Sequence, residues 1–179
     1  MSQHPQGPST TSADASAPAA TAPVRAAVVV VSDRSAAGAR EDRSGPAAVA
    51  ALRDAGFAVP DAVVVPDGAA SVRGAVEDAM ARGARLVVTS GGTGVGPRDE
   101  TPEGTRPLLA KELPGIPELL RRSSDVPTAV LGRGLAGVTD AGVVVVNLPG
   151  SPGGVREGLA VLAPLLPHLL SQVGGGDHA

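Results

Sequence analysis

The chain has no cysteine, tryptophan or tyrosine, and Phe57 is the single phenylalanine among 179 residues. Without cysteine there is no disulfide, no thiolate metal site and no thiol nucleophile, and the redox compartment cannot be read from thiols. Without aromatics there is no platform on which nucleic-acid bases can stack. With 15 basic against 18 acidic residues and a net charge of −3, there is no basic stripe either, so nucleic-acid binding is not expected. No apolar run approaches the roughly 18 residues a membrane helix needs, and the first segment lacks a charged stretch followed by an apolar one. A soluble, cytoplasmic protein with no membrane partner is expected. Its core has to be built from Ala, Val and Leu, and the length suits one domain of ordinary size.

Residues 1–23 are rich in Ser, Thr, Ala, Pro and Gln with no apolar periodicity, the composition of a disordered tail. Residues 24–173 carry the periodic patterns of a folded domain, and residues 174–179 are expected to fray. The most informative stretch is 86–109, LVVTSGGTGVGPRDETPEGTRPLL. It reads as a buried strand (Leu86, Val87, Val88), then a loop with Gly91, Gly92, Gly94 and Gly96 and the hydroxyls of Thr89, Ser90 and Thr93. The pair Arg98 and Asp99 follows, and Thr101-Pro102-Glu103 has the chemistry of a helix start: a capping hydroxyl, proline at the first position and an acid facing the positive end of the dipole. That helix is expected to run to about Glu112.

Glycines let backbone amides come close to a ligand, and successive amides beside a helix start form an anion site. Asp99 would repel a phosphate unless a metal ion or proton stood between them, which points to a nucleotide with Mg²⁺. Tight turns also use Gly, Thr and Asp for purely local reasons. The stretch lacks the Gly-Lys-Ser/Thr ending of a P-loop and the Gly-x-Gly-x-x-Gly of a dinucleotide fold.

Elsewhere, residues 24–31 form a run typical of a strand buried on both faces, ending in Ser32-Asp33-Arg34. A loop containing Glu41, Asp42 and Arg43 leads into a helix that stops near Gly56, with Asp42 and Ser44 in turn and capping positions. Residues 62–65 form a second strand closed by Pro66-Asp67-Gly68, where Asp67 taken alone reads as a cap or turn. The helix behind it keeps Val72, Ala75, Val76, Ala79 and Met80 at helical spacing. A short helix covers residues 116–122. Residues 128–147 are too compact for a helical crossover and favour an antiparallel hairpin that turns at Asp140-Ala141-Gly142. Ser151 and Pro152 start the last helix, Pro164 interrupts it, and His168 lies on its surface. This order predicts a three-layer α/β/α single domain whose sheet is mainly parallel with one antiparallel edge strand.

Two separated motifs carry a resemblance. One is Thr89-Ser90-Gly91-Gly92-Thr93-Gly94 followed by Arg98-Asp99-Glu100-Thr101-Pro102-Glu103; the other is Asn147-Leu148-Pro149-Gly150-Ser151-Pro152. With Ser32-Asp33-Arg34, the Asp42-x-x-Gly45-Pro46 helix start and Pro66-Asp67, they resemble the MoaB/Mog family of molybdenum cofactor biosynthesis proteins over most of the chain. The resemblance implies a molybdopterin adenylyltransferase, which uses ATP and Mg²⁺ to place AMP on the terminal phosphate of molybdopterin and releases pyrophosphate. It makes Asp67 and Asp99 the catalytic and metal-holding residues. It has Ser90, Gly91, Gly92, Thr93 and Gly94 cradle the pterin phosphate while Arg98 offsets charge. Ser32, Asp33 and Arg34, together with Thr101, Pro102 and Glu103, become further substrate-binding positions, and Asn147, Pro149, Gly150 and Ser151 line the opposite wall. A homotrimer or homohexamer is implied as well. The alternatives are a non-catalytic pterin-binding or carrier protein of the same family and a sugar- or nucleotide-processing domain on the same fold. Two positions depart from the family pattern: Pro97, and Gly104, which replaces an alanine and is expected to weaken an exposed helix start by up to about 1 kcal/mol.

Overall fold

In the computed structural model, which describes residues 22–176, strands and helices alternate through the first half of the chain. They are β1 (Ala26–Val31), α1 (Asp33–Ala36), α2 (Ser44–Asp54), β2 (Val63–Val65), α3 (Ala69–Ala81) and β3 (Leu86–Ser90). The second half runs α4 (Thr101–Thr105), β4 (Leu109–Glu112), α5 (Gly115–Arg122), β5 (Ala136–Thr139), β6 (Val144–Leu148), α6 (Pro152–Leu162) and α7 (Leu166–Val173), with 3-10 turns at Arg106–Leu108 and Pro127–Leu131. The expected N-terminal tail and C-terminal fraying fall largely on residues outside those described.

One sheet holds all six strands in the order β2-β1-β3-β6-β5-β4. Strands β2, β1, β3 and β6 are parallel neighbours. The valines of β1, β3 and β6 are buried on both faces, which is why these strands read as unbroken apolar runs, whereas Val63 and Val64 on the edge strand β2 are exposed. Val28 and Val30 pack with Ala48, Val49 and Leu52 of α2 and with Val155, Leu159 and Leu162 of α6. On the other face Val29, Val31, Val87 and Val145 meet Val72, Val76 and Ala79 of α3. The result is the expected three layers, with small aliphatic side chains filling both interfaces. The expected antiparallel element is present too: β5 pairs with β6 through Ala136↔Val146 and Val138↔Val144.

The helix expected from Thr101 to about Glu112 is not formed. It ends at Thr105, tightens into a 3-10 turn, and Leu109–Glu112 becomes the outermost strand, antiparallel to β5. Pro107 explains the stop, because it has no amide to bond the carbonyl four residues back. The segment after it has good helix formers, but pairing with the open edge of β5 outweighs that preference. Gly104 also differs from expectation. A Cβ there would stand 2.4 Å from the Ala69 carbonyl oxygen and 3.0 Å from Val72 Cβ, so the glycine allows α4 to lie directly on α3 and is not an exposed weakness.

The strand order fixes where a ligand can bind. The chain leaves β1 outward to β2 and returns on the other side as β3. The crevice therefore opens beyond the carboxyl ends of β1 and β3, at the switch point of the sheet.

Candidate functional site

Gly91, the first residue past β3, shapes the crevice. Its φ is 105°, and a Cβ on it would come within 2.2 Å of the Val31 carbonyl oxygen at the end of β1. Only glycine can turn the chain this close to the neighbouring strand. Several bonds fix the turn: the Gly91 amide donates to Leu148 O (3.1 Å) and the Thr101 amide to Gly92 O (3.0 Å). The Ser90 hydroxyl donates to Pro149 O (3.0 Å), and the Thr101 hydroxyl to Gly91 O (2.8 Å). Thr101 is thus not the cap expected from sequence. The cap position of α4 is Glu100, which makes no side-chain cap bond. The amides of Gly92, Thr93 and Gly94 donate to no group among the described residues.

These three residues line a polar cavity of about 400 Å³, with Ser32, Asp67, Ser90, Gly91, Asp99, Gly150 and Ser151 also on its wall. A second cavity of about 530 Å³ shares Thr93, Gly94 and Ser151 with the first and has a mainly apolar lining that includes Pro117, Leu120, Val126, Leu131, Leu148 and Val161. Asn147 and Pro149 lie on this second wall. The two cavities form a groove with a polar half and an apolar half. Its apolar half, built by α5 and the Pro127–Leu131 turn, had no motif to announce it.

The two aspartates are seated alike. Asp67 Oδ2 accepts the Asp33 amide (2.8 Å), and Asp33 Oδ1 accepts the Asp67 amide (3.0 Å), a reciprocal pair between the loops after β1 and β2. Asp67 is therefore not a helix cap; α3 starts behind Gly68, and its first amide, that of Ala69, donates to Glu100 Oε2 (3.0 Å). Asp99 Oδ2 accepts the Gly96 amide (2.9 Å). In both residues one carboxylate oxygen is held by a backbone amide, while Oδ1 has no hydrogen-bond partner among the described residues.

Arg98, expected to offset ligand charge, is engaged elsewhere. It forms a fork on Asp33 through Nε and Nη2, both at 3.0 Å, and Nη2 also donates to Asp67 O at 3.0 Å. The hydrogen bond from Arg98 holds the Asp33 carboxyl below its ordinary value, and the same bond raises the Arg98 guanidinium. Asp33, Arg34, Arg98, Thr101, Pro102 and Glu103 line neither cavity. Glu103 pairs with Arg133, whose hydrogen bond lowers the Glu103 carboxyl.

The cations on the polar wall are Arg40 and Arg43. Arg43 pairs with Glu41 at 3.2 Å, whereas the Arg40 guanidinium has no partner among the described residues. Sequence reasoning missed Arg40, because nothing in its loop sets it apart from any solvated arginine. Asp42 does what its local reading suggested: Oδ1 accepts the Ser44 amide (2.9 Å) and the Gly45 amide (3.0 Å) at the start of α2. Ser151 likewise caps α6 by accepting the Gly154 amide at 3.1 Å.

Asn147, expected to line the wall opposite the glycine loop, does border the apolar cavity, but its side-chain amide is turned into the protein. It is 3% exposed, and Nδ2 donates to Thr89 Oγ1 (2.9 Å) and Thr105 Oγ1 (3.0 Å) while Oδ1 accepts the Leu135 amide (3.0 Å). Both of its amide protons are used inside the protein. The side chain ties β6 to β3, α4 and the start of β5.

The chain is similar to known proteins over most of its length. A family described as "Probable molybdopterin binding domain" matches residues 27–168. A molybdenum cofactor biosynthesis bifunctional protein of Synechococcus elongatus is 45% identical over 162 residues, covering 89% of this chain and 50% of that protein. The chain thus spans about half the length of the bifunctional relatives it matches. A molybdopterin adenylyltransferase of Pyrococcus furiosus is 41% identical over 149 residues, covering 80% of this chain and 87% of its own length. Among solved structures, the molybdopterin biosynthesis Mog protein of Mycobacterium ulcerans superposes with a TM-score of 0.77 at 43% identity, covering 84% of this chain and 99% of that one.

Proposed function

The chain belongs to the MoCF_biosynth family of molybdopterin-binding domains, and on that premise we propose that it is a molybdopterin adenylyltransferase. The observation that carries this reading is the polar cavity, where the amides of Gly92, Thr93 and Gly94, unpaired among the described residues, share a wall with the carboxylates of Asp67 and Asp99. Successive free amides favour an anion. Two carboxylates beside that anion require a cation between them.

Mg²⁺ carried by the nucleotide fits this donor set. It binds through one or two carboxylates plus substrate phosphates and retains several waters. Asp67 and Asp99 are therefore enough, and no larger acidic cluster exists among the described residues. Asp67 Oδ1 and Asp99 Oδ1 would hold the ion, which when bound neutralises phosphate charge. The remaining work belongs to the chain. In the reaction an oxygen of the molybdopterin phosphate bonds to the α-phosphorus of ATP, the bond to the β-phosphate oxygen breaks, and pyrophosphate leaves. The attacking phosphate is already ionised, so no side chain has to take a proton. The protein contributes position and charge.

In this reading the free amides hold the terminal phosphate of molybdopterin and the apolar cavity accepts a flat heteroaromatic ring. Arg40 takes the charge-offsetting role expected of Arg98. The exposed Val130, outside the apolar cavity, adds apolar surface for the homotrimer or homohexamer that the family resemblance implies, which light scattering would measure.

The test combines the protein with molybdopterin, ATP and Mg²⁺ and follows adenylylated pterin and pterin affinity separately. Asp67→Asn and Asp99→Asn should each lower transfer by orders of magnitude and leave pterin bound. Unimpaired transfer in Asp67→Asn removes that residue from the site. Pterin binding without turnover in the unaltered protein would make it a carrier and refute the proposal.

A further inference from the structure

Arg133 precedes β5 and lies on neither cavity wall, yet it holds the glycine loop at both ends. Its backbone amide donates to Thr93 O at 2.9 Å, and its Nε to Gly94 O at 2.7 Å. Nη2 donates to Asp99 O, and Nη1 pairs with Glu103, whose second oxygen is 3.4 Å from Nη2. One side chain thereby closes the segment from Gly94 to Asp99 and is itself anchored on α4.

Beyond Arg133, the segment is tied to the rest of the fold through Arg98 on Asp33 and Asp67 O, on the side facing the loops after β1 and β2. Val95 is 72% exposed, so no apolar side chain roots the loop. Inside it, the Asp99 amide donates to Gly96 O (3.0 Å) and the Gly96 amide to Asp99 Oδ2 (2.9 Å). Gly94 and Gly96 make room for the carboxylate, because a Cβ on either would stand 2.8 Å from Asp99 Oδ2. The seat of Asp99 is thus formed by the loop closing on itself, and it depends on the two ends of the loop being kept together.

We propose that Arg133 is a positioning residue for Asp99. It sets the carboxylate by clamping Gly94 O and Asp99 O, with Glu103 orienting the guanidinium. The geometry requires arginine, whose planar fork reaches three separate acceptors, whereas lysine offers one compact charge. The consequence for adenylyl transfer rests on the function proposed above; the clamp itself does not.

The test uses the full chain with Arg133→Gln, with Arg133→Lys as a milder variant, and with Arg73→Gln as a control on the exposed Arg73–Glu77 pair. Amide hydrogen exchange at Gly96 and Asp99 is measured in the free protein, and transfer rate and molybdopterin affinity are measured separately. Arg133→Gln should speed exchange at both amides at least tenfold while the amides of β3 stay protected. It should lower kcat at least tenfold and leave pterin affinity within about threefold. Arg133→Lys should fall between, and it carries the comparison if the glutamine variant does not fold. Unchanged exchange at Gly96 overturns the clamp. Faster exchange with unchanged kcat overturns the positioning role. Absence of transfer in the unaltered protein refutes the enzymatic reading, and the exchange measurement alone then decides the clamp.

Discussion

Asn147→Leu separates a structural role for this residue from the ligand-binding role its motif suggests. Leucine has nearly the shape of asparagine but leaves the buried hydroxyls of Thr89 and Thr105 without their donor and the Leu135 amide without its acceptor. Both threonines are 0% exposed, so water cannot replace the lost partner. An unsatisfied buried group costs about 1–3 kcal/mol. Hydroxyls can rotate toward other acceptors, so three such groups should cost about 3–5 kcal/mol in total. This is a large share of the roughly 5–15 kcal/mol that separates folded from unfolded proteins. The melting temperature should fall by about 10 °C, at about 2–4 °C per kcal/mol for a domain of this size.

Urea and thermal unfolding at fixed protein concentration would measure the loss, since any oligomer makes stability depend on concentration. A triple variant sharpens the test. When Thr89→Val and Thr105→Val are added to Asn147→Leu, donor and acceptors disappear together, and apolar replacement of both partners is close to neutral. More than half of the lost stability should return. A loss below about 1 kcal/mol for Asn147→Leu, accompanied by a tenfold fall in molybdopterin affinity, would refute this reasoning and return the residue to the ligand.

Gly104→Ala should destabilise the protein by about 1–3 kcal/mol, as overpacking does, although alanine is the better helix former; a higher melting temperature would show that α4 is not pressed against α3. Asp33 and Glu103 are both held below their ordinary pKa values, chiefly by hydrogen bonds from Arg98 and Arg133. A depressed folded-state pKa contributes stability that is complete above the unfolded value, about 4 for these groups, and is lost as pH falls through the folded value. The melting temperature should therefore drop between about pH 5 and pH 3, and less steeply in an Arg98→Gln, Arg133→Gln double variant. Equal slopes would mean that neither pair contributes to acid sensitivity.

The inner parallel strands β1, β3 and β6 were legible because burial on both faces leaves a direct trace, an unbroken apolar run, in the sequence. The edge strand β4 left none. Leu109–Glu112 reads as the end of a helix, and only the free edge of β5 makes it a strand. Local chemistry was equally legible where its partner lies within three residues, as with Ser151 on Gly154 and Asp42 on Gly45. The cap assigned to Thr101 failed because the carbonyl it reaches is ten positions away, across the glycine loop.

Charge shows this limit most clearly. An arginine inside an anion-binding motif looks like a ligand contact, since its sign is visible in the sequence and its nearest counter-charge is not. Arg98 finds that counter-charge in Asp33, 65 positions away, and Arg133 finds it in Glu103, 30 positions away. Such pairings come into being only when the sheet order brings the loops after β1 and β3 and the segment before β5 to the same end of the sheet. The reverse holds for Arg40, which belongs to no motif and whose guanidinium on the polar wall is unpaired among the described residues. Within this site a cation's place in a motif says less about ligand contact than whether the fold has already supplied it with a carboxylate.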